Sequence, residues 1–281
     1  MTLKLDHNKV LSLLPDRDIK AHKGSFGKLL LLCGSKGYTG AAALAAMGAL
    51  RCGAGLVYLA VPESIYAIEA VKLTEPIIYP LPDNGGKLAA EAIPEIDLLL
   101  SGKHALLIGP GLGISEGTSE IISHVLKHFN GPIIIDADGI TLLNKHKHLL
   151  RGRTQPTILT PHEGEFIRIG GNLTGDRVAD AMALAKDLGV ILLLKGHSTV
   201  ITDGKTCYVN PTGNPGMATG GSGDVLAGMI TALVGQGIPT LESTACAAWL
   251  HGAAGDLCAM ELGQYAMLPS DMLQVLPRLL K

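Results

Sequence analysis

The sequence predicts an α/β protein with a mainly parallel central sheet and helices on both of its faces. At least six short apolar runs, typical of buried strands, alternate with segments of helical periodicity. Hydrophobic residues make up 47% of the 281 residues and aromatic residues only 4%, which indicates a core of Ala, Leu, Ile and Val. The 36 glycines indicate many tight turns between strands and helices.

Charge and composition favour small molecules over nucleic acid or membranes as partners. The formal net charge is −2, and basic residues form no run. No uncharged apolar run approaches about 18 residues, and the N-terminus lacks the apolar segment of a signal peptide. The five cysteines are scattered, which argues against a disulfide framework or a zinc site. We therefore expect one soluble, cytoplasmic domain over residues 1–281.

The first hundred residues contain an alanine-rich helix between two apolar strands. Ala41 and Ala42 lie where this helix begins, so they could face a ligand, although close packing on the sheet explains most of its alanines. Residues 63–104 are the hardest to interpret. The predicted elements are helices over 10–14 and 41–52, strands over 29–33, 56–61 and 76–80, and a polar turn at 83–86.

Polar and glycine-rich segments follow the next strands, at the sheet edge where open α/β folds bind ligands. Glycines in the turn 109–113 allow a ligand to approach the backbone. Asp136 and Asp138 either assist a metal ion or cap the next turn. The predicted elements of this part are strands over 105–108, 133–135 and 157–159 and a helix over 118–129.

A turn at residues 160–165 presents two further polar side chains at this edge. Pro161 fixes the turn, so His162 is placed at the sheet edge, either as a ligand contact or as a structural residue. Glu165 either orients a hydrated metal ion or caps the following helix.

The last third of the chain carries a lysine at a strand end. Lys195 lies beside phosphates if residues 195–199 and the glycine-rich loop after them form one nucleotide site, although such a lysine is often only a solvated charge. His251 is interpreted as a core residue of an apolar helix. The predicted elements are helices over 179–188, 225–234 and 241–260, a last helix with Ser270 as its N-cap, a strand over 190–194, and a hairpin of strands near 200–201 and 207–209 that turns at Asp203–Gly204.

The strongest functional signal precedes the helix predicted over 225–234. Gly220, Gly221 and Gly223 leave no side chain over its start, so unpaired N–H groups and the positive end of the helix dipole can bind an anion. Asp224 either caps this helix or acts as a base for a substrate hydroxyl during phosphoryl transfer, and the spacing favours neither. The segment lacks the lysine of a Walker A loop and lies too far along the chain for a Rossmann fingerprint.

Six motifs in order resemble those of the ADP/ATP-dependent NAD(P)H-hydrate dehydratases, a family with the ribokinase-like fold. These enzymes restore NADH or NADPH that has been hydrated on the nicotinamide ring, by phosphorylating the ring hydroxyl and eliminating phosphate. The similarity extends from residue 22 almost to the C-terminus. The motifs are His22–Gly27, Gly109–Gly113, Asp136–Asp138, Thr160–Glu165, Lys195–Thr199 and Gly220–Gly228.

The resemblance implies a role for each matching residue. Asp224 would activate the ring hydroxyl, while Gly221, Ser222 and Gly223 steady the phosphoryl group. Mg²⁺ is the expected cofactor, with Glu165 acting on it through a water molecule. ADP or ATP would contact Lys195, Gly196, His197, Ser198, Thr199 and Gly223, and the hydrated substrate would contact Ala41 or Ala42, Gly111, His162 and Asp224.

The resemblance also implies partners and leaves an alternative open. The substrates would be the S form of hydrated NADH or NADPH (NADHX or NADPHX) together with ADP or ATP. Because the sequence lacks the N-terminal epimerase domain of some relatives, a separate NAD(P)H-hydrate epimerase is expected. Buried alanine-rich helices permit a homo-oligomer such as a tetramer. The alternatives are a ribokinase-like kinase for a vitamin-precursor alcohol, which would leave a stable phosphate ester, and a non-catalytic nucleotide-binding scaffold.

Overall fold

The computed structural model of the protein describes residues 2–3 and 5–281. The strands of these residues are β1 (Thr2–Leu3), β2 (Lys28–Leu32), β3 (Leu56–Pro62), β4 (Ile77–Leu81), β5 (Asp83–Asn84), β6 (Lys87–Leu88), β7 (Ala105–Ile108), β8 (Ile133–Ile135), β9 (Thr157–Leu159), β10 (Ile191–Leu194), β11 (Val200–Thr202) and β12 (Cys207–Val209). The helices are α1 (His7–Leu13), α2 (Thr39–Arg51), α3 (Glu63–Lys72), α4 (Ile93–Leu100), α5 (Glu116–His128), α6 (Asp138–Leu143), α7 (Glu163–Arg168), α8 (Arg177–Leu188), α9 (Ser222–Gly235), α10 (Thr240–Leu262) and α11 (Pro269–Leu279).

A ten-stranded sheet of the described residues organises the chain, in the order β1-β12-β11-β10-β9-β8-β7-β2-β3-β4. Its pairs are parallel except for β10 with β11 and β11 with β12. The predicted mainly parallel sheet and hairpin are therefore confirmed. The unpredicted β1, only two residues long, pairs with β12 on the outside of the hairpin.

The sheet separates two hydrophobic cores, one on each face. Leu29 and Leu31 of β2 belong to the core that contains α2, α9 and α10, whereas Leu30 and Leu32 belong to the core that contains α5 and α8. Strands covered on both faces need apolar side chains at successive positions. This explains why the central strands are continuous apolar runs in the sequence.

Helices α2 and α9 pack with their backbones in close approach. A Cβ added to Gly228 would lie 2.0 Å from the Ala45 carbonyl oxygen, and one added to Gly48 would lie 2.5 Å from the Val225 carbonyl oxygen. The prediction that the alanine-rich helix packs closely is confirmed. This contact places Val225, in the first turn of α9, beside Gly48 in the second half of α2.

Several predicted boundaries are wrong. The last helix begins at Pro269 rather than after Ser270, because proline, whose φ suits a helix, occupies its first turn. The first helix begins at His7, three residues before its predicted start, with the Asp6 side chain accepting from the Lys9 N–H. In residues 63–104 the predicted strand and polar turn are confirmed as β4 and the β5–β6 turn, but α3 and α4 were not predicted.

Two expectations from composition can also be compared with the structure. All five cysteines are buried free thiols, as expected from their scattered positions. The 23-residue α10 is too polar to cross a bilayer, and no other helix in residues 2–3 and 5–281 is long and apolar enough to do so.

Candidate active site

A cavity of about 900 Å³ opens at the carboxyl edge of the sheet, beyond β9, β10 and β12. Three segments form most of its wall: the turn Lys195–Thr199, the loop Asn210–Pro215 and the residues leading into α9. Thr219, Gly220, Ser222 and Gly223 belong to the third segment. All residues predicted to contact the nucleotide therefore line one cavity.

The start of α9 is open toward this cavity. Gly221 has φ of 99°, and a Cβ there would lie 2.5 Å from the Leu44 Cδ1 atom, so both conformation and space require glycine. No side chain of the residues that the structure describes caps the helix. Within the described residues, the N–H groups of Gly223 and Asp224 have no protein acceptor. Unpaired N–H groups at a helix start form an anion-binding site.

Asp224 lies in the first turn of α9 but does not cap it. Its carboxyl group accepts no hydrogen bond from the residues that the structure describes. Burial, together with the negative charges of Asp136 and Asp138, raises the pKa of Asp224 to about 6, although Lys195 acts in the opposite direction. The structure therefore favours a base over a helix cap, since a base that operates near neutral pH needs such a pKa.

Lys195 is held by a buried carboxylate rather than left in solvent. Its Nζ atom lies 2.8 Å from Asp136 Oδ1 and 3.9 Å from Glu165 Oε2, and its side chain is 23% exposed. Burial disfavours the ammonium form, but the charges of Asp136 and Glu165 outweigh this effect and raise the pKa of Lys195 above its ordinary value. The lysine therefore stays charged at the cavity wall.

Asp136 and Asp138 stand on either side of a strained residue. Ala137 has φ of 49° and ψ of −121°, a conformation that few non-glycine residues adopt. Asp136 accepts from Lys195 and Thr160, while Asp138 accepts from the Gly113 N–H at 2.9 Å. Neither side chain caps α6, so the capping interpretation of these two residues is wrong.

His162 and Glu165 form a reciprocal cap on α7. The His162 Nδ1 atom accepts from the N–H groups of Gly164 and Glu165, at 3.0 and 3.3 Å, and Glu165 Oε2 accepts from the His162 N–H at 2.9 Å. Because Nδ1 is an acceptor, the ring hydrogen of neutral His162 lies on Nε2. His162 also lines the cavity, where this group can donate to a ligand.

The predicted substrate residues do not all lie in this cavity. His162 lines it, whereas Ala41, Gly111 and Asp224 do not. Ala41 and Gly111 are neighbours, since a Cβ added to Gly111 would lie 2.9 Å from the Ala41 Cβ atom. Ala42 has no exposed surface and packs against Gly34. Of the two alanines, the structure therefore leaves only Ala41 able to meet a ligand.

The sequence interpretation missed one cavity residue. His251 is buried, as predicted for a core residue, but it also lines the cavity, and its Nε2 atom lies 2.9 Å from the Ser222 carbonyl oxygen. Burial lowers the pKa of His251 to about 4, so the ring is neutral and supports the first turn of α9. The sequence carries no signal for this role, because the position of His251 one helical turn after Ala248 is informative only once Ala248 is seen to line the cavity.

The sequence matches known proteins over almost its whole length. A family model described as NAD(P)H-hydrate dehydratase matches residues 29–278. A bifunctional NAD(P)H-hydrate repair enzyme of Moorella thermoacetica is 43% identical over 96% of the chain and 52% of the relative, so the chain spans about half of that protein. The ADP-dependent (S)-NAD(P)H-hydrate dehydratase of Bacillus subtilis is 36% identical over 97% of the chain and 95% of the relative.

Solved structures show the same fold. The ADP/ATP-dependent NAD(P)H-hydrate dehydratase of Bacillus subtilis, co-crystallised with ATP and Mg²⁺, has a TM-score of 0.83 and 32% identity, with 98% of this chain and 96% of that chain covered. An Arabidopsis thaliana ribokinase has a TM-score of 0.58 at 17% identity, with coverages of 91% and 99%, which bears on the fold alone. The predicted ribokinase-like fold is confirmed.

Proposed function

The chain belongs to the NAD(P)H-hydrate dehydratase family, and we propose that it uses ADP or ATP to dehydrate the S form of hydrated NADH or NADPH. The products are NADH or NADPH, phosphate, and AMP or ADP, which makes the enzyme a hydro-lyase. One observation carries this proposal. At the start of α9, where Gly223 lines the cavity, the N–H groups of Gly223 and Asp224 have no acceptor among the described residues, and the Asp224 carboxyl group in the same turn has a raised pKa.

The reaction begins as a phosphoryl transfer. The Asp224 carboxylate takes the proton of the ring hydroxyl, whose oxygen forms a bond to the terminal phosphorus as the bond from phosphorus to the AMP or ADP oxygen breaks. The N–H groups of Gly223 and Asp224 stabilise charge on the moving phosphoryl group, with Gly221 and Ser222 setting the start of the helix. Since phosphoryl transfer needs little covalent help, positioning and charge stabilisation supply most of the acceleration.

The second step is an elimination. The electron pair of the ring nitrogen expels phosphate, and the neighbouring ring carbon then loses a proton, which restores the reduced nicotinamide. Because the pKa of Asp224 is about 6, its carboxyl group can take up a proton and release it again near neutral pH. We assign the substrate contacts to Asp224, Ala41, Gly111 and the Nε2–H group of His162.

The turn after β10 is proposed to hold the nucleotide. Gly196 has φ of 146°, and a Cβ there would lie 2.7 Å from the Arg177 Nη2 atom, while Ser198 adopts φ of 57°. This backbone course presents Lys195, His197, Ser198 and Thr199 to the cavity. Lys195 supplies a charged donor for a phosphate, and Gly223 leaves the start of α9 uncovered.

The chain's own residues fit a hydrated Mg²⁺ ion that arrives with the nucleotide, and not a site made of protein ligands alone. In the described part of the chain no group of three or more His, Cys, Asp or Glu side chains could hold a metal ion. Glu165 already accepts from the His162 N–H, so it would act on the ion through water. Mg²⁺ commonly binds substrate phosphates, keeps several waters and uses few carboxylates, and it would neutralise phosphate charge here.

The cellular setting is part of the same proposal. We place the protein in the cytoplasm as one domain, where the buried thiols stay reduced. A homo-oligomer stays a prediction, and the buried alanines of α2 do not supply its contact, because they pack inside the chain. An NAD(P)H-hydrate epimerase is the expected partner, since the relative described as bifunctional is matched over about half its length.

Product analysis tests this function. Purified protein is incubated with Mg²⁺ and the hydrated forms of NADH and NADPH, with ADP and then with ATP. We expect recovery of the reduced-nicotinamide absorbance together with free phosphate in equal amounts. A stable phosphate ester would instead identify a kinase, the alternative that the comparisons do not favour. Nucleotide binding without either product would identify a non-catalytic scaffold.

A further inference from the structure

Asp136 makes the most buried charged contact of the site, although the reaction described above does not use it. The residue is 1% exposed, and a single oxygen, Oδ1, accepts from both the Lys195 ammonium and the Thr160 hydroxyl, each at 2.8 Å. A buried carboxylate with two such partners has a fixed orientation. The Lys195 ammonium group, which donates to this carboxylate, is therefore held in one position.

The held ammonium lies at the start of α9. A Cβ added to Gly223 would lie 3.4 Å from Lys195 Nζ and 3.7 Å from Asp136 Oδ2. The side chain of Lys195 is 23% exposed and lines the cavity, so its other N–H donors can reach a bound anion. The lysine and the free N–H groups of α9 thus converge on the same space.

A lysine has a flexible stem and needs an anchor to stay at one place. Glu165 Oε2 lies 3.9 Å from its Nζ atom, and the charge of Asp224 also acts on it, so other carboxylates compete for the ammonium. Without Asp136, Lys195 can turn toward Asp224 and form an ion pair there. That pair would occupy the base and remove the positive charge from the phosphoryl position.

We propose that Asp136 is a positioning residue that acts through Lys195, holding its ammonium group at the start of α9 against the transferring phosphoryl. The Thr160 hydroxyl orients the Asp136 carboxylate for this purpose. This inference rests on the proposed function for its effect on rate, but its effect on nucleotide binding does not require turnover.

A double-mutant cycle tests whether Asp136 acts through Lys195. Asp136→Asn, Lys195→Met and the double variant are compared for kcat with hydrated NADH and for the Kd of ADP by calorimetry. The comparison is made at pH 8, well above the pKa of about 6 of Asp224, because the charges of both residues also act on that pKa. We expect Asp136→Asn to lower kcat about 10- to 100-fold, as misplacement of a binding group does. In the Lys195→Met background the same change should alter kcat and Kd by less than about twofold, because coupled residues are not additive. Equal losses in both backgrounds would overturn the proposal.

A matched control separates positioning from general damage to the fold. Asp180 is also a buried aspartate, and its Oδ1 atom accepts from the Thr174 hydroxyl at 2.7 Å, but it pairs with no lysine of residues 5–281. Asp180→Asn should lower the melting temperature without changing kcat. Thr160→Val should lower kcat less than Asp136→Asn does, and Thr160→Ser should restore it.

These measurements distinguish failure of the inference from failure of the proposed function. If the wild-type chain binds ADP but does not act on the hydrate, the proposed function fails and the binding cycle still decides the role of Asp136. If the wild-type chain turns over and Asp136→Asn keeps kcat within about twofold, Asp136 does not position Lys195 and only the inference fails. If Asp136→Asn does not fold, the comparison of Thr160→Val with Thr160→Ser tests whether Asp136 positions Lys195. Equal kcat values in these two variants would contradict the proposal.

Discussion

Helices α8 and α9 both have a Gly-Asp dipeptide at their start, yet the two aspartates do different work. Asp176, preceding α8, has a non-helical backbone, with φ of −95° and ψ of 86°, and its side chain accepts from the N–H groups of Val178 and Ala179. Asp224 is already inside the first turn of α9 and accepts from no described residue. The Asp176 side chain therefore accepts hydrogen bonds from the first N–H groups of α8, whereas the N–H groups of Gly223 and Asp224 in α9 have no acceptor among the described residues.

The difference comes from the position of the helix start relative to the aspartate. An N-cap residue has a non-helical backbone that turns its side chain toward the next N–H groups, whereas a residue within the first turn points outward. At α8 the glycine Gly175 immediately precedes the cap, while at α9 Gly221 takes the cap position and has no side chain to offer. A shift of the start by a few residues leaves both N–H groups without an acceptor among the described residues and a carboxyl group that does not cap the helix.

The largest expected effect comes from neutralising Asp224, with the same change at Asp176 as its comparison. Asp224→Asn should lower kcat about 10²- to 10⁴-fold while ADP still binds, because a general base is lost. Asp176→Asn should leave kcat unchanged, since asparagine caps helices equally well. Steady-state kinetics and calorimetry check both variants. A near-wild-type rate for Asp224→Asn would show that the base is another group.

The pH dependence should follow the same carboxyl group. Burial, with the charges of Asp136 and Asp138, raises the pKa of Asp224 to about 6, and only the deprotonated form can take the proton. Below this value kcat/KM should therefore fall about tenfold per pH unit, whereas above it the rate should be level. The Asp176→Asn variant should keep this profile. An acidic limb near the ordinary carboxyl pKa would contradict the raised value.

Alanine in place of glycine should affect the two helix starts in opposite ways. In Gly223→Ala the methyl group would lie 3.4 Å from Lys195 Nζ and cover the anion site, so kcat/KM should fall about tenfold with little loss of stability. In Gly175→Ala the new Cβ meets nothing within 4 Å, but φ of 105° is strained for alanine. That variant should lose about 1 kcal/mol of stability and no activity. Kinetics and urea unfolding of both check this crossed pattern.

The smallest effect concerns stability. Because the folded pKa of Asp224 is above that of the unfolded chain, its protonated form stabilises the fold fully below pH 3.8, and this contribution is lost as the pH rises through about 6. At neutral pH Asp224→Asn should therefore raise the free energy of unfolding, by on the order of 1 to 3 kcal/mol. Asp176→Ala should lower it by about 1 kcal/mol.

Urea unfolding at two pH values checks the sign of this effect. The gain from Asp224→Asn should be present at neutral pH and disappear below pH 3.8, where the wild-type carboxyl is protonated in both states. A gain of the same size at both pH values would contradict a raised pKa in the folded protein.

The fold could be predicted well where strands are covered on both faces, and poorly at α3. Continuous apolar runs mark β2, β7 and β10 in the sequence. Helix α3 reverses the usual pattern, because Glu69 is fully buried whereas Val71 is 89% exposed. Reading apolar residues as buried therefore misses this helix.

The segments that form the site could be predicted from the sequence, but the contacts between their side chains could not. The glycine loop and the turn after β10 were recognisable, since each carries a local signal. The interpretation of Asp224 depends on a helix boundary within one or two residues, which sequence patterns do not resolve. The contact between Lys195 and Asp136 joins residues 59 positions apart and depends on β8, β9 and β10 being neighbours in the sheet.

A crystal structure of the chain with Mg²⁺ and a non-hydrolysable ATP analogue tests the central claim most directly. The account predicts the terminal phosphate within hydrogen-bonding distance of the Gly223 and Asp224 N–H groups, with the Asp224 carboxyl facing the space left for the substrate hydroxyl. A terminal phosphate bound elsewhere, with the start of α9 closed by the protein's own atoms, would contradict it.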